Sequence, residues 1–259
     1  MDSTNKQINR RDFINLTAGG IAATALIAPT MAFANEQTKI KAIAFDAFPI
    51  FDPRPVFKLV NDLFPDKGPA LTNTWRTTQF EYTWLYTSAT QYADFWKVTE
   101  DALIFAAKKN GIDLTAAHRK QLMDSYLYLN AWPDVLPVLE SLKQKGIRLA
   151  LLSNFTTEML NSCIKTSKLD TYFEAVLSVD KVKRFKPSPT AYQMGINAFK
   201  LKKQEIAFAA FAGWDAAGAR WFGYPTYWVN RQEAPLEELG VRPDGMGRDL
   251  VGLVDFVSR

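Results

Sequence analysis

Cysteine and histidine are nearly missing from this sequence: one of each, Cys163 and His118, in 259 residues. A lone cysteine excludes an internal disulfide and any cysteine-rich metal site. A lone histidine excludes paired-histidine metal sites and argues against a serine–histidine–aspartate triad. Strong charge of one sign is missing too, with 31 Lys+Arg against 27 Asp+Glu and a net charge of +4. The basic residues are interspersed, whereas nucleic-acid binding needs them gathered on one face. With 47% hydrophobic and 22% charged residues, disordered, collagen-like and coiled-coil readings fall away. Any catalysis must therefore rest mainly on carboxylate, lysine, arginine and hydroxyl groups.

The N-terminus reads as an address. Asn9-Arg10-Arg11-Asp12-Phe13-Ile14 is a twin-arginine pattern, a Gly/Ala-rich apolar stretch follows over 16–28, and Ala32-Phe33-Ala34 offers a small-x-small cleavage site. That order is the order of a signal peptide. The expectation is that residues 1–34 engage the twin-arginine export machinery and are removed, leaving a periplasmic protein with no stable membrane association. A transmembrane anchor competes with this reading, but the apolar stretch is short for a span. An N-terminal helix of the fold is the other alternative. A lone unpaired cysteine suits export in a folded state to an oxidising compartment.

No internal repeat or low-complexity segment is visible in the rest of the chain. Residues 40–45 are β-branched and apolar, a strand ending at Asp46. From about 53 to 132 the pattern is helical, with helices expected over 72–86, over 94–110 (N-cap Asp94, stop Gly111) and over 115–129. Alternation then sets in. Helices are expected at 134–145, from 157, at 189–199 and at 216–222, and strands at 147–152, 175–177, 206–211 and 226–229. Alternating strands and helices predict an α/β fold with a doubly wound parallel sheet. The helical stretch interrupts that alternation, so it reads as an inserted cap (53–132) on a core made of 35–52 and 133–259. Ligands bind outside the carboxyl ends of such strands, and the expected ends carry Asp46, Ser153-Asn154 and Trp214-Asp215.

Asp46 at a strand end serves as nucleophile, general base, metal ligand or turn cap, or is a plain loop aspartate. Lys186 lies in Arg184-Phe185-Lys186-Pro187-Ser188-Pro189, where the prolines fix the backbone before a helix. Near Asp46 it would keep a carboxylate ionised; otherwise it is a solvated loop lysine. Arg76 stands beside Trp75, with Phe80 and Trp84 at helical spacing. It is either an anion-binding arginine in an aromatic pocket or a surface arginine beside a core stripe. Phe95, Trp96 and Trp214 extend such walls or are ordinary core. His118 reads as an exposed helix residue and Cys163 as a buried small hydrophobe.

Taken in order, several motifs resemble the haloacid dehalogenase superfamily and, within it, the L-2-haloacid dehalogenase (type II) family. They are Ala44-Phe45-Asp46, Trp75-Arg76, Glu81-Tyr82-Thr83-Trp84-Leu85, Thr99-Glu100-Asp101-Ala102-Leu103, Leu152-Ser153-Asn154, Lys186-Pro187 with Tyr192, and Trp214-Asp215-Ala216-Ala217-Gly218-Ala219-Arg220. The resemblance implies a haloacid dehalogenase-like (Rossmannoid) core with a helical cap, no metal or cofactor, a small 2-haloacid substrate and a homodimer. It implies that Asp46 displaces halide and forms an aspartyl ester, which water cleaves to a 2-hydroxy acid. Lys186 would orient Asp46, and Asp215 would position or activate the water. Ser153 would hold the substrate carboxylate, while Arg76 and Asn154 would cradle the halide. Tyr192 would support the site by hydrogen bonding. Phe80, Phe95 and Trp214 would wall the alkyl pocket.

The chain departs from the family pattern beside Asp46 and before Trp214. The family's first loop usually continues with an aromatic residue, Gly, Thr and Leu, whereas this chain has Ala47-Phe48-Pro49-Ile50. Ala210 and Ala212 stand where the family usually has a serine and an asparagine. Displacement machinery looks complete and ester-hydrolysis machinery thinned, which keeps an altered substrate or a slower second step in view. Phosphatases of the superfamily carry a second aspartate two residues after the nucleophile, and Phe48 stands there. A binding protein on a retired enzyme fold is the non-enzymatic alternative.

Overall fold

The computed structural model describes residues 39–258. The export signal expected over 1–34 lies outside the described residues. The order of elements is β1 (Ala42–Phe45), α1 (Ala47–Ile50), α2 (Arg54–Leu63), α3 (Gly68–Ser88), α4 (Phe95–Lys109), α5 (Ala116–Ser125) and α6 (Val135–Gln144), then β2 (Arg148–Ser153), α7 (Thr157–Thr166), β3 (Ala175–Ser178) and α8 (Pro189–Phe199). β4 (Ile206–Ala210), α9 (Gly213–Phe222), β5 (Thr226–Val229), β6 (Gly245–Gly247) and α10 (Val251–Phe256) complete it.

The six strands form one sheet in the order β3-β2-β1-β4-β5-β6, and every neighbouring pair is parallel. This is the doubly wound sheet expected from the alternation. Strand side chains point to opposite faces in turn, and the core divides accordingly. Ile43, Phe45, Leu149, Leu151, Ala207, Ala209 and Val229 pack on one face. Ala42, Ala44, Ala150, Leu152, Ile206, Phe208 and Trp228 pack on the other, against Tyr192, Phe199, Ala216 and Ala219 of α8 and α9. Both faces are covered, so the strands read as nearly continuous apolar runs.

Helices α2–α5 occupy the stretch between β1 and β2. Val56 and Val60, Leu71 and Trp75, and Phe95, Val98, Ala102 and Ala106 recur at helical spacing and are buried in the cluster that also holds β1. Side chains of Asp94, Thr115 and Thr156 cap α4, α5 and α7, each accepting a backbone N–H three residues on. Buried polar pairing ties α3 to α4: Trp75 Nε1 donates to Thr99 O (2.8 Å) and Gln79 Nε2 to Thr99 Oγ1 (2.7 Å).

Several element boundaries differ from expectation. Helix α3 starts earlier, at Gly68, and α5 stops at Ser125 rather than 129. Helix α9 starts at Gly213, so Trp214 and Asp215 lie in its first turn and not in a loop. Gly and Asp are weak helix formers, which hid this start, although an acidic residue is favoured in a first turn. Beyond 229 the chain adds β6 and α10. Gly245-Met246-Gly247 has no strand pattern of its own; it is placed by parallel pairing with β5. The Tyr227 side chain lies so close that a Cβ on Gly247 would fall 2.2 Å from its hydroxyl. His118, expected to be exposed, is half-buried with its ring edge-on to Phe64. Cys163 is buried, as expected.

Candidate active site

The carboxyl edge of the sheet places the candidate residues around β1, which has β2 on one side and β4 on the other. Strand order reverses there, and loops from both halves converge. Asp46 follows β1 directly. Its N–H donates to Ala209 O (3.0 Å), which continues the β1–β4 ladder and holds the residue at the sheet edge. Its extended backbone makes it the N-cap of α1, with Oδ2 accepting the Phe48 N–H at 3.1 Å.

Lys186 is 1% exposed, and its ammonium bridges two carboxylates, Asp46 Oδ1 at 2.7 Å and Asp215 Oδ2 at 2.8 Å. The ring of Phe208 lies 5.0 Å from Nζ. Burial alone would lower the lysine pKa, but Asp215 and Asp46 outweigh it and hold the ammonium above its ordinary value. Asp215 is equally buried. Burial is the largest influence on it, Lys186 and the Tyr192 hydroxyl oppose the shift, and Asp46 adds to it, so its pKa is raised to about 6. The Tyr192 hydroxyl donates to Asp215 Oδ1 (2.7 Å). Burial and Asp215 keep that hydroxyl protonated far above its usual range.

From the end of β2, Ser153 Oγ donates to Asp46 Oδ1 (3.3 Å) and accepts the Phe155 N–H (3.2 Å). Asn154 Oδ1 accepts the Lys186 N–H at 2.9 Å, which fixes the orientation of the amide. Asn154 Nδ2 is buried and has no hydrogen-bond partner among the described residues. An unpaired buried donor is costly, and this residue lines a cavity in which an acceptor would pair it.

That cavity is about 10 Å³, room for about one water, and is lined by Asp46, Ser153, Asn154, Asp215 and a set of rings. Pockets that hold bound ligands span about 300–1,000 Å³, so this one is nearly closed in the structure. Phe80, Phe95 and Trp214 all contribute walls, with Phe80 and Trp214 in ring contact at 5.4 Å. Three further rings were not among the expected wall residues: Phe48, Phe155 and Phe211. Phe48 packs between the other two, with centroids 5.2 Å and 5.1 Å away. Their shared signal is position, since Phe155 and Phe211 lie within two residues of the ends of β2 and β4.

Arg76 is not brought into this cavity. It lines an adjoining one of about 290 Å³, together with Asn73 and Asn230, and its guanidinium lies over the Phe57 ring at 4.8 Å. Phe80, Phe211, Ala212 and Trp214 line both cavities. Ala212 is the N-cap of α9 and has no side-chain donor or acceptor to offer there. Ala210 is fully buried at the end of β4. The side of the site facing β4 is thus apolar up to Asp215.

Comparison with known proteins agrees with this geometry. A family model described as a haloacid dehalogenase-like hydrolase matches residues 40–223. The (S)-2-haloacid dehalogenase of Pseudomonas sp. (strain YL) is 39% identical over 218 residues, covering 84% of this chain and 94% of that one. A crystal structure of an L-2-haloacid dehalogenase superposes with a TM-score of 0.84 at 38% identity, covering 86% of this chain and all of the other. The L-2-haloacid dehalogenase from Xanthobacter autotrophicus, solved with chloropropionic acid covalently bound, superposes with a TM-score of 0.77 at 30% identity, covering 85% and 98%. With the sheet order, the strand-end aspartate and these matches in agreement, the chain belongs to the haloacid dehalogenase-like hydrolases.

Proposed function

We propose that this protein hydrolyses the carbon–halogen bond of short (S)-2-haloacids, giving 2-hydroxy acids through an ester on Asp46. The observation that carries this reading is the Asp46–Lys186–Asp215 bridge, whose two carboxylates line a small aromatic cavity together with Asn154, the residue with the unpaired amide. Support comes from the relatives named (S)-2-haloacid dehalogenase and from the relative solved with chloropropionic acid covalently bound.

In the first step an Asp46 oxygen attacks C2 of the substrate, and halide departs with the bonding electrons. Lys186 Nζ, 2.7 Å from Asp46 Oδ1, aims the nucleophile. Ser153 and backbone N–H groups after Asp46 hold the substrate carboxylate. The departing halide takes the hydrogen bonds that Asn154 Nδ2 has to give; donors aimed at developing charge in a dry site are worth most there. Arg76 acts from the adjoining cavity across the Phe80–Trp214 wall, attracting the anionic substrate and product. In the second step water adds to Cγ of Asp46, and the bond from Cγ to the substrate oxygen breaks. One water proton passes by way of Asp215 to the new hydroxyl, the other is released, and the Asp46 carboxylate is restored. Tyr192 keeps Asp215 in place. No step requires a metal or cofactor.

The same proposal includes a cap formed by 53–132 over a core of 35–52 and 133–259, a homodimer, and export to the periplasm. The twin-arginine pattern at 9–14 supports export. The test is halide release from L- and D-2-chloropropanoate and from haloacetates, in EDTA, beside Asp46→Asn. Release from the L substrate that vanishes in the variant is expected. Release that persists in Asp46→Asn, or none from any haloacid, would overturn the reading.

A further inference from the structure

The turn that follows Asp46 has no polar side chain of its own: Ala47, Phe48, Pro49 and Ile50 are all apolar and all buried. Pro49 also lacks an N–H. A turn of this kind has no side-chain anchor of its own, and three successive carbonyls are fastened from far along the chain. Phe48 O accepts Trp132 Nε1 (2.9 Å), Pro49 O accepts Arg231 Nη2 (2.7 Å) and Ile50 O accepts the Trp132 N–H (3.0 Å).

Arg231 is itself locked. Its guanidinium meets both oxygens of Asp134 at 3.0 Å and stacks on the Trp132 ring at 4.4 Å. Its side chain is 7% exposed. Asp134 Oδ2 also accepts the Leu250 N–H at 2.8 Å. A second guanidinium, Arg54, lies over the Trp132 ring at 4.3 Å. The planar fork of arginine allows one residue to serve a carboxylate and a carbonyl together, which a lysine cannot do with the same geometry.

We propose that Arg231, held by Asp134 and stacked on Trp132, is a positioning residue for the nucleophile. It fixes the α1 turn so that the Phe48 N–H meets Asp46 Oδ2 and the Phe48 ring closes the cavity. Arg231 touches neither substrate nor reacting atoms. It acts through the backbone at Pro49 and, by way of Trp132, at Phe48. The brace stands in for polar anchoring that the turn itself lacks. Its catalytic consequence rests on the reading of Asp46 as the nucleophile; its structural consequence does not.

The test has two readouts. The first is hydrogen–deuterium exchange of the peptide covering 46–52. The second is kcat and KM for L-2-chloropropanoate. In Arg231→Met the exchange of that peptide should rise while β4 stays protected. Because a misplacement near 1 Å costs on the order of 100-fold, kcat should fall by about that factor with KM changed far less. Arg231→Lys should recover part of kcat. Trp132→Phe removes the Nε1 donor, leaves a smaller aromatic ring under the guanidinium and is the second variant should the arginine variant misfold; it should lose about tenfold in kcat, in line with the same geometric sensitivity. Unchanged exchange at 46–52 in both variants, or a rise in KM alone, would overturn the proposal. Should the wild type release no halide from any haloacid while exchange at 46–52 still rises in the variants, the dehalogenase reading fails and the brace stands.

Discussion

Two sides of the same cavity are built in opposite ways. On the side of β1 and β2, Asp46, Lys186, Ser153 and Asn154 are joined by hydrogen bonds of 2.7–3.3 Å. On the side of β4, Ala210, Phe211 and Ala212 present no polar side chain until Asp215 is reached. The contrast maps onto chemistry. Charge is organised where a carboxylate must attack and a halide must leave, and little is provided for holding water where an ester must be cleaved. Asp215 joins the two sides, paired to Lys186 on one and followed by the remainder of α9 on the other.

The largest effect that tests this contrast is expected at its pivot. Lys186→Met would leave two buried carboxylates facing each other without a counter-charge. Loss of one partner from a buried ion pair costs about 3–5 kcal/mol, so a clear drop in the denaturation midpoint should accompany loss of halide release. Retained stability together with retained turnover would show that the bridge does not organise the site.

Next in size is a pH effect on the weaker side. A carboxyl pKa raised to about 6 means that Asp215 is ionised above pH 6 and protonated below it. Only the ionised form can take a proton from water. Esterification removes the Asp46 charge that adds to this shift, so ester hydrolysis should slow only as pH falls below about 6, and there the fraction of Asp46 carrying ester at steady state should grow. Mass spectrometry of the Asp46 peptide across that range measures this. An ester fraction that does not respond to pH would remove Asp215 from the water step.

Much of the well-connected side was legible in the sequence. Asp46, Ser153 and Asn154 follow apolar strands directly, and strand ends in alternating folds face the ligand crevice. Lys186 was legible through the prolines beside it. What stayed hidden depends on residues distant in the chain. The placement of Arg76 in the adjoining cavity follows from the packing of α3 against Phe57, which no local pattern encodes. The Arg231–Asp134 pair spans 97 positions, and Trp132 reaches back 84 positions to Phe48. Strand β6 is set by its neighbour β5 and not by its own residues.

A smaller effect is expected from restoring polarity. Ala212→Asn would place an N-cap side chain on α9, worth about 1 kcal/mol of stability, and would add a hydrogen-bonding group to the cavity wall. The denaturation midpoint should rise, and hydrolysis of the ester should quicken by up to about tenfold, the equivalent of 1.4 kcal/mol. Unchanged ester lifetime with a raised midpoint would show that the bare β4 side does not limit turnover.

A further effect lies behind the site. A Cβ on Gly218 would fall 2.6 Å from both Pro187 Cβ and the Tyr192 hydroxyl. Gly218→Ala should cost about 1–3 kcal/mol as overpacking and should lower kcat by shifting Tyr192 away from Asp215. Thermal denaturation beside halide-release kinetics would check both parts; a neutral result would mean that the Lys186–Pro187 loop gives way freely.

The central claim, an ester on Asp46, is tested most directly by a single turnover of excess enzyme with L-2-chloropropanoate in heavy-oxygen water. The account predicts that the product hydroxyl carries ordinary oxygen taken from Asp46, while the heavy oxygen appears in the Asp46 peptide. Heavy oxygen in the product of that first turnover, with none in Asp46, would mean that water attacks the substrate directly and would contradict the account.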